Sequence, residues 1–417
     1  MKPRLGGNLW RHRDFTRFWF SDTVSQFGNQ FSGFALPVLA VLSFNATPLD
    51  IGIITALAIA PYPLLGLFVG VWADRFRKRR IMVVCNFGRM VTLASVPIGY
   101  VLGSLNLTQL FAVSLVNGIF SVFFDISYQA YLPILVDRGD LMEGNQKLQL
   151  SSSGAQVAGP GIAGLVYQAI GGAFTVAADS IGYLVSALAL LSVRKDEPAK
   201  VRNDTDPAPD FFAEMREGVE VVLGNRYLRM IAGATATSNL GANMVGAVMT
   251  IFALRTLRFT TTELGLVGSI GAAGFLAGVL VVNRSTARIG LGRILALSIT
   301  VPGALAFNPL ALLGYPFLVL AAISFIVGLS IPAYNVNQIS LRQAITPDRL
   351  QGRMNATMRT IVWGTIPVGS LVGGLLGNTV GVVDTMYVGG AIAGLAGAWI
   401  ALGPVIELRK QPEPVQA

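Results

Sequence analysis

The sequence predicts an all-α membrane protein with twelve transmembrane helices, arranged as two six-helix bundles related by a pseudo-two-fold axis along the membrane normal. Three observations predict this fold. The chain of 417 residues is 53% hydrophobic and only 13% charged, and its mean hydropathy of +0.61 lies above the range of soluble globular proteins. Its apolar residues fall into about twelve long segments. The second half of the chain also repeats features of the first half.

Each apolar segment is long enough to cross a bilayer as a helix, which takes about 20 residues. Charged residues, glycines or prolines mark the breaks between the segments. We place the spans at 16–43, 50–73, 81–103, 108–134, 146–169, 173–193, 228–254, 263–283, 291–313, 316–340, 356–379 and 385–405.

The basic residues predict the orientation of these spans. If both termini are cytoplasmic, all of the 31 Lys and Arg residues except Arg89, Arg255 and Arg258 lie on the inner side. This asymmetry is the one that the positive-inside rule requires. We therefore expect a multi-pass protein of the cell membrane with both termini in the cytoplasm. The net charge of +9 then reflects topology, and no nucleic-acid partner is expected because the basic residues form no recognition module.

Cysteine and histidine are too rare for several kinds of site. One Cys and one His exclude an intramolecular disulfide and argue against a metal site built from Cys or His ligands. We expect Cys85 to be a buried, small apolar group. The first apolar run is long and begins only after several charges up to Arg17, so we expect it to stay in the membrane and not to be a cleaved signal peptide.

A polar stretch divides the chain into two halves. We predict an N-terminal bundle over 1–193, a cytoplasmic linker over 194–226 that ends in an amphipathic helix on the membrane surface, and a C-terminal bundle over 227–417. The halves align at a shift of about 207–213 residues, which indicates a parallel duplication with a substrate path between the bundles. The matched pairs are Gly52 with Gly265, Gly66 with Gly274, Gly70 with Gly278, Arg75 with Arg284, Gln129 with Gln338, and Pro160 with Pro367.

Five segments carry a resemblance to a known family. They are the loop Gly70–Arg80, the stretch Phe123–Pro133, the loop Leu141–Asn145, and the stretches Gly159–Gly164 and Thr346–Pro367. The first resembles the signature loop of the major facilitator superfamily, and the others resemble its bacterial efflux branch of macrolide, tetracycline-type and enterobactin exporters. The resemblance implies a proton-coupled exporter and does not name its cargo.

The signature loop supplies a candidate conformational latch on the inner side. Asp74 ends the second helix, where the helix dipole disfavours an acid that has no cationic partner. Arg75, Arg79 or the start of the eleventh helix would supply that partner, and Gly70 would allow close helix approach. The resemblance implies that these residues bias the inward-closed against the inward-open state. The alternative is a topology anchor among the lipid headgroups.

Four ionisable residues are expected to be buried away from the ends of predicted spans, where an unpaired charge costs about 2.5–3.5 kcal/mol. Arg89 and Asp125 lie at matched depth on consecutive helices, which favours an ion pair that acts either as a structural bridge or as a charge relay. Asp179 is expected to make a hydrogen bond that packs helices together. Asp22 is a better candidate for the proton carrier than Asp125, because burial without a cation disfavours the charged carboxylate; the alternative is a structural acid held by hydrogen bonds.

Asp22 heads a polar stripe on the first helix. It is followed by Gln26 and Asn29 at helical spacing, so the three side chains share one face, which we expect to line the cavity. The related exporters commonly carry Asp at the position of Asn29. Standard proton coupling therefore requires that Asp22 replace the missing acid.

Neutral amides and an aromatic residue suggest a site for an amphiphilic organic molecule, although each of them is equally consistent with helix packing. A small-residue element on the fifth helix resembles the export motif of the superfamily, and its alternative role is close bundle packing. The cavity candidates are Gln26, Asn29, Gln156, Asn239, Asn243, Asn335, Gln338 and Trp363, and the motif comprises Gly154, Gly159, Pro160 and Gly164.

The sequence thus predicts a secondary transporter, not an enzyme, that exports lipophilic or amphiphilic molecules such as drugs or siderophores. It lacks a GxxxxGK[ST] run for ATP, so we expect the proton gradient to supply the energy without a cofactor, and we expect a monomer. The alternatives are a proton-coupled importer or facilitator of a small nutrient, and a transport-inactive scaffold or sensor.

Overall fold

The structure is a computed structural model that describes residues 9–73, 76–195, 197 and 211–412. These residues form fourteen α-helices and four stretches of 3₁₀- or π-helix, and no strand occurs among them. The helices are α1 (Arg13–Phe44), α2 (Pro48–Ile59), α3 (Pro61–Ala73), α4 (Lys78–Val101), α5 (Leu107–Leu135), α6 (Leu141–Ile170), α7 (Gly172–Leu191), α8 (Phe211–Gly224), α9 (Arg226–Ile251), α10 (Thr261–Ile289), α11 (Leu291–Thr300), α12 (Pro316–Ala344), α13 (Asp348–Thr379) and α14 (Val382–Ala401).

Twelve crossings of the bilayer account for these helices, which confirms the predicted fold class. Eleven segments of the described chain are long and apolar enough to span a membrane. The twelfth crossing is α6, whose 30 residues extend for about 45 Å. Its first half is polar, with three consecutive serines at 151–153 and an exposed Gln156, which is typical of a helix that lines a water-filled cavity.

Two spans are less regular than the sequence suggested. The second span, predicted as one helix over 50–73, is broken between α2 and α3, because Pro61 and Pro63 have no amide hydrogen to continue the ladder. The ninth span begins as α11 and continues as a 3₁₀ stretch over Val301–Leu313, which contains Pro302 and Pro309.

The two bundles meet along two equivalent helix pairs, α2 with α13 and α6 with α10. We call the face at which α1 begins the inner face, in keeping with the charge pattern, and the opposite face the outer face. A Cβ on Gly52 of α2 would press on the Ser370 carbonyl of α13, and a Cβ on Gly265 of α10 would press on the Pro160 carbonyl of α6. The glycine pair matched in the sequence repeat thus makes matched contacts.

These contacts between bundles concentrate at the outer face. There Thr261 Oγ1 donates to the Gly164 carbonyl oxygen at 2.9 Å, and Arg255 Nη2 donates to the Val41 carbonyl oxygen at 3.0 Å. Toward the inner face, the space beside Gly70 of α3 and Gly364 of α13 is open. The bundles are therefore closed on the outer side and separated on the inner side.

The amphipathic helix α8 packs on the inner end of the second bundle. Glu217 forms an ion pair with Arg353 of α13, Gly218 lies against the backbone of Arg353, and Val222 is fully buried. The helix falls within the predicted linker 194–226, of which residues 196 and 198–210 lie outside the described part; its predicted position on the membrane surface stays a prediction. The boundaries at 193/194 and 226/227 stay predictions.

The chain that follows α7 fastens the inner ends of the first bundle. Asp14 of α1 accepts a hydrogen bond from the Lys195 backbone N–H at 2.9 Å. Glu197 accepts hydrogen bonds from the backbone N–H groups of Lys78 at 2.7 Å and Arg79 at 3.2 Å. The carboxylate of Glu197 therefore caps the N-terminus of α4, which favours negative charge.

Candidate functional site

The acidic centre of the site is Asp125 on α5, a half-buried residue. Its Oδ2 atom accepts a hydrogen bond of 2.6 Å from the hydroxyl of Tyr62 at the start of α3. Asp22 of α1 lies within electrostatic range of it. Two carboxylates in one buried cluster repel each other when both are ionised, so the cluster is suited to binding one proton.

Asp22 lies deeper than Asp125, at 1% exposure. Its Oδ1 accepts a hydrogen bond of 3.3 Å from Gln26 on the same helix, and its Oδ2 has no hydrogen-bond partner. The polar stripe predicted for α1 therefore exists, but its acid lies inside the bundle, and Gln26 and Asn29 are the half-buried members.

Arg89 does not form the predicted ion pair with Asp125 in this conformation. Its guanidinium is fully buried, and none of its nitrogen atoms has a hydrogen-bond partner. It lies over the rings of Phe124 at 4.9 Å and Tyr183 at 5.2 Å from their centroids. The depths along the helices were matched as predicted, but the side chains turn to different partners, and the interaction with Asp125 is electrostatic at longer range.

Asp179 packs α7 on α1. Neither carboxylate oxygen makes a hydrogen bond of standard geometry. Ser32 of α1, whose hydroxyl donates to the Gly28 carbonyl oxygen at 3.1 Å, interacts with the carboxylate through its side chain and its backbone, and an added Cβ on Gly28 would lie 2.5 Å from Oδ1. The contact between the two helices is therefore close, and the predicted hydrogen bond of Asp179 stays a prediction.

Asn29, the departure from the related exporters, is held inside the first bundle. The Tyr183 hydroxyl donates to its Oδ1 at 2.8 Å. The amide thereby satisfies a buried phenol that also lies beside Arg89.

A polar cluster that sequence reasoning missed lies beside Arg89. Ser186 of α7 bonds Ser21 Oγ at 2.7 Å and Ser25 Oγ at 2.8 Å, and accepts from Asn86 Nδ2 at 2.7 Å. All four residues are buried, so the cluster joins α1, α4 and α7. The signal available in the sequence was a set of small polar residues at helical spacing on three apolar helices.

The amides of the second bundle divide into two groups. Asn239 donates to the Val362 carbonyl oxygen at 3.1 Å, and Asn243 donates to the Asn239 carbonyl oxygen at 2.8 Å; both are half-buried. Asn335 is exposed. Gln338 was predicted to line the cavity, but it is 6% exposed.

The Gln338 prediction fails because its amide has a partner inside the bundle. Its Oε1 accepts a hydrogen bond of 3.0 Å from Arg342 on the same helix. The other Arg342 terminal nitrogen donates to Asn355 Oδ1 at 2.6 Å. Gln338 therefore serves a buried cation and is not available to a substrate.

Trp363 contacts the acidic centre from the opposite bundle. Its ring centroid lies 4.6 Å from that of Tyr62, with the planes inclined at 31°. Arg359, one turn earlier on α13, lies over the same indole at 5.9 Å from the centroid. The structure therefore brings Tyr62, which the sequence did not single out, between Asp125 and Trp363.

The export-motif residues occupy different positions on α6. A Cβ on Gly159 would lie 2.6 Å from Gln30 Cβ of α1, whereas Gly164 and Pro160 pack on α10 across the bundle interface. Gly154 has open space beside it, on the half of α6 that lines the inner opening.

The latch stays a prediction. Asp74 and Arg75 lie outside the described residues, and a Cβ added to Gly70 would meet no atom within 4 Å. Arg79 donates through Nη2 to the Leu191 carbonyl oxygen at 3.4 Å. Cys85 is 3% exposed, as predicted, and the described residues contain no group of His, Cys, Asp and Glu able to hold a metal.

Residues 9–413 match the MFS_3 family, which is described as Transmembrane secretion effector. The chain belongs to this family of major facilitator transporters. The transporter is 24% identical over 379 residues to the multidrug efflux pump Tap of Mycolicibacterium fortuitum, covering 88% of this chain and 90% of Tap. It is 22% identical over 410 residues to macrolide efflux protein A of Streptococcus pyogenes, covering 92% and 94% of the two chains.

A solved structure shares the fold of the transporter. A bacterial homologue of the iron transporter ferroportin, in an inward-facing state, superposes with a TM-score of 0.76 at 17% identity and covers 95% of this chain and 99% of its own. The family and the fold are those of multi-pass membrane transporters, which at this level agrees with the expectation that the chain is not an enzyme.

Proposed function

We propose that this transporter exports lipophilic or amphiphilic small molecules, of drug-like or siderophore-like character, by proton-coupled antiport with alternating access. It would act in the cell membrane as a monomer, with both termini in the cytoplasm and without a cofactor. The single observation that carries the proposal is the half-buried Asp125, bonded to Tyr62 at a seam that is open toward the inner face.

The acid pair Asp22 and Asp125 is the proposed proton site. Asp125 is partly accessible, whereas Asp22 is buried behind it with one unpartnered oxygen. A proton that enters the pair relieves the repulsion between the carboxylates. The positive charge of the nearby Arg89 offsets part of the negative charge of the two carboxylates.

The groups around the seam support an amphiphilic cargo. Trp363 and Tyr62 offer aromatic surfaces, and Gln156, Asn239 and Asn243 offer neutral donors and acceptors. Apolar surfaces with a few polar groups suit an organic molecule. The named efflux relatives support the same direction of transport.

The proton gradient is sufficient for export. One charge that moves through 100 mV yields about 2.3 kcal/mol, and each tenfold accumulation requires about 1.4 kcal/mol. One proton per molecule therefore supports a gradient of roughly fifty-fold.

The test is an efflux screen in a strain that lacks its own pumps, with and without a protonophore. We expect the transporter to lower the cellular content of one or more lipophilic compounds, and the protonophore to abolish this effect. Uptake of label in energised cells would identify an importer. Proton flux that is unchanged by every compound would indicate a scaffold or sensor.

The proton site is tested in vesicles with a compound from that screen. Asp125→Asn should abolish accumulation driven by a pH gradient while downhill exchange continues. Asp384→Asn, which alters an exposed carboxylate at the start of α14, is the matched control and should behave as wild type. Gradient-driven accumulation by Asp125→Asn would exclude this residue from coupling.

A further inference from the structure

Tyr62 lies at the break in the second span. It stands between Pro61 and Pro63, where α2 ends and α3 begins. Neither proline donates a backbone hydrogen bond, so α3 is less firmly tied to α2 here than inside a continuous helix. The backbone around Tyr62 is therefore suited to small changes in ring position.

The side chain of Tyr62 contacts both bundles at once. Its hydroxyl donates to Asp125 Oδ2 at 2.6 Å within the first bundle. Its ring lies 4.6 Å from the ring of Trp363 in the second bundle. One rigid phenol thus joins a titratable group on one side of the seam to an aromatic group on the other.

The strength of the first contact depends on the charge of Asp125. An ionised carboxylate accepts a hydrogen bond about twice as strong as one between neutral groups. Protonation of Asp125 weakens the bond and releases the constraint on the phenol. The ring would then be free to leave the position in which it meets Trp363.

We propose that Tyr62 is the positioning residue that couples protonation of Asp125 in the first bundle to the aromatic contact with Trp363 in the second. This inference rests on the proposed function for the role of the proton. A change in the charge of Asp125 would then reach the second bundle through the Tyr62–Asp125 hydrogen bond and the Tyr62–Trp363 ring contact.

Other groups face Asp125 and belong to the same electrostatic cluster. They are Asp22 on α1, Cys85 and Arg89 on α4, Tyr183 on α7, Arg359 on α13 and, on α5 itself, Tyr128. Arg359 lies over the Trp363 indole. A test must therefore distinguish an effect on Trp363 that is transmitted by the Tyr62 side chain from a direct effect of the electric field of these charges on the indole.

The experiment follows the fluorescence of Trp363 during a pH titration. Trp10, Trp19, Trp72 and Trp399 are replaced by Phe, and size exclusion verifies the fold of the full-length protein in detergent. We expect the emission of Trp363 to change through one pH transition. In Tyr62→Phe, which keeps the ring and loses the hydroxyl, the transition should disappear, and in Tyr387→Phe, an exposed tyrosine of α14, it should remain.

A second variant keeps the proposal testable if Tyr62→Phe does not fold. Asp125→Asn should fix the emission at one value across the same pH range. A transition that persists in either Tyr62→Phe or Asp125→Asn would overturn the proposal, because the signal would then come from another group. A wild-type emission that does not change with pH would overturn it as well.

Substrate affinity gives an independent readout. A ligand from the efflux screen should bind wild type with a dissociation constant that differs by about two- to tenfold between low and high pH, the range that one aromatic contact supplies. In Tyr62→Phe this ratio should fall to about one. The fluorescence titration requires no transport, so failure of proton-coupled export leaves it interpretable, and the two proposals fail separately.

Discussion

At the scale of single residues, the first bundle holds several polar groups that its apolar helices must accommodate. Ser186 is central among them, because it bonds side chains from α1 and α4. Arg89 lies beside this cluster and between the acids Asp125 and Asp179, without a direct ion pair to either. Arg89 has no carboxylate in direct contact, so its charge is stabilised by the aromatic rings that it lies over.

Removal of the Ser186 hydroxyl should destabilise the first bundle. Ser186→Ala removes one hydrogen-bond partner each from Ser21, Ser25 and Asn86. Ser21 Oγ keeps the carbonyl of residue 186, and Asn86 keeps the longer bond to Ser25 Oγ at 3.4 Å, so we expect a total cost of about 1–3 kcal/mol. We expect a lower midpoint of thermal unfolding in detergent. Ser192→Ala, whose exposed hydroxyl bonds only the Ala189 carbonyl of its own turn, is the control, and an equal effect of the two substitutions would contradict the role of the cluster.

At the scale of helices, glycines fix how closely the bundles approach. Gly265 of α10 and Gly164 of α6 bring backbones into direct contact across the interface, and a hydrogen bond from the Gly161 amide to Ser269 Oγ at 2.9 Å reinforces it. Small residues make such approach possible in membranes, where packing and hydrogen bonds drive helix association. The crossing of α6 with α10 therefore stabilises the state that is closed on the outer side.

Gly265→Val should open the outer side, because the added methyl groups collide with the Pro160 carbonyl. The reporter is Ser269→Cys in a Cys85→Ala background, labelled from outside with an impermeant maleimide. We expect it to react about fivefold faster or more when Gly265→Val is also present. This corresponds to a shift of about 1 kcal/mol in the equilibrium between the states closed and open on the outer side. Gly246→Val on α9, where the space is open, is the control. Unchanged labelling would show that this crossing does not hold the outer side closed.

The start of α4 depends on an acid that lies far away in sequence. Its N-cap residue, Arg77, makes no side-chain capping bond, and Glu197 caps the helix instead. Glu197→Ala should lower stability by about 0.5–2 kcal/mol, measured as a drop in the unfolding midpoint. Glu220→Ala, which alters an exposed acid on α8, should change it much less, and the opposite order would contradict capping.

At the scale of the whole molecule, the two bundles are closed at the outer face and separated at the inner face. The same helix pairs change from close contact to open space along their length. The alternating access that we propose would exchange these two ends by a rocking motion of one bundle on the other. The acidic centre and the Tyr62–Trp363 contact would then lie between the parts of the seam that open and close.

Access to α6 should therefore be one-sided. Gln156→Cys, in a Cys85→Ala background, should react with an impermeant maleimide about tenfold faster or more in inside-out vesicles than in right-side-out vesicles. A tenfold ratio corresponds to an inner-closed state that lies about 1.4 kcal/mol above the inner-open state. Leu313→Cys at the outer end of the ninth span, 85% exposed, should show the reverse preference. Labelling of Gln156→Cys from the outside would contradict both the orientation and the conformation.

Predictions that depended on position along the chain agreed well with the structure. The spans and the repeat pair Gly52 and Gly265 were found as expected, since helix length and glycine spacing are written linearly in the sequence. Predictions that depended on rotation about a helix axis did worse. Arg89 and Asp125 have the predicted depth but different partners, and Gln338 turns inward to Arg342.

The sequence by itself determined that this chain consists of two repeats of membrane-spanning helices. The length of each apolar run and the position of the breaks between runs decide which segments can span a bilayer. Only the tertiary structure decided which polar side chains meet and which end of the seam is open. Those features depend on the rotation, tilt and spacing of all the helices together, and Tyr62 shows it, since its two partners lie on different helices of different bundles.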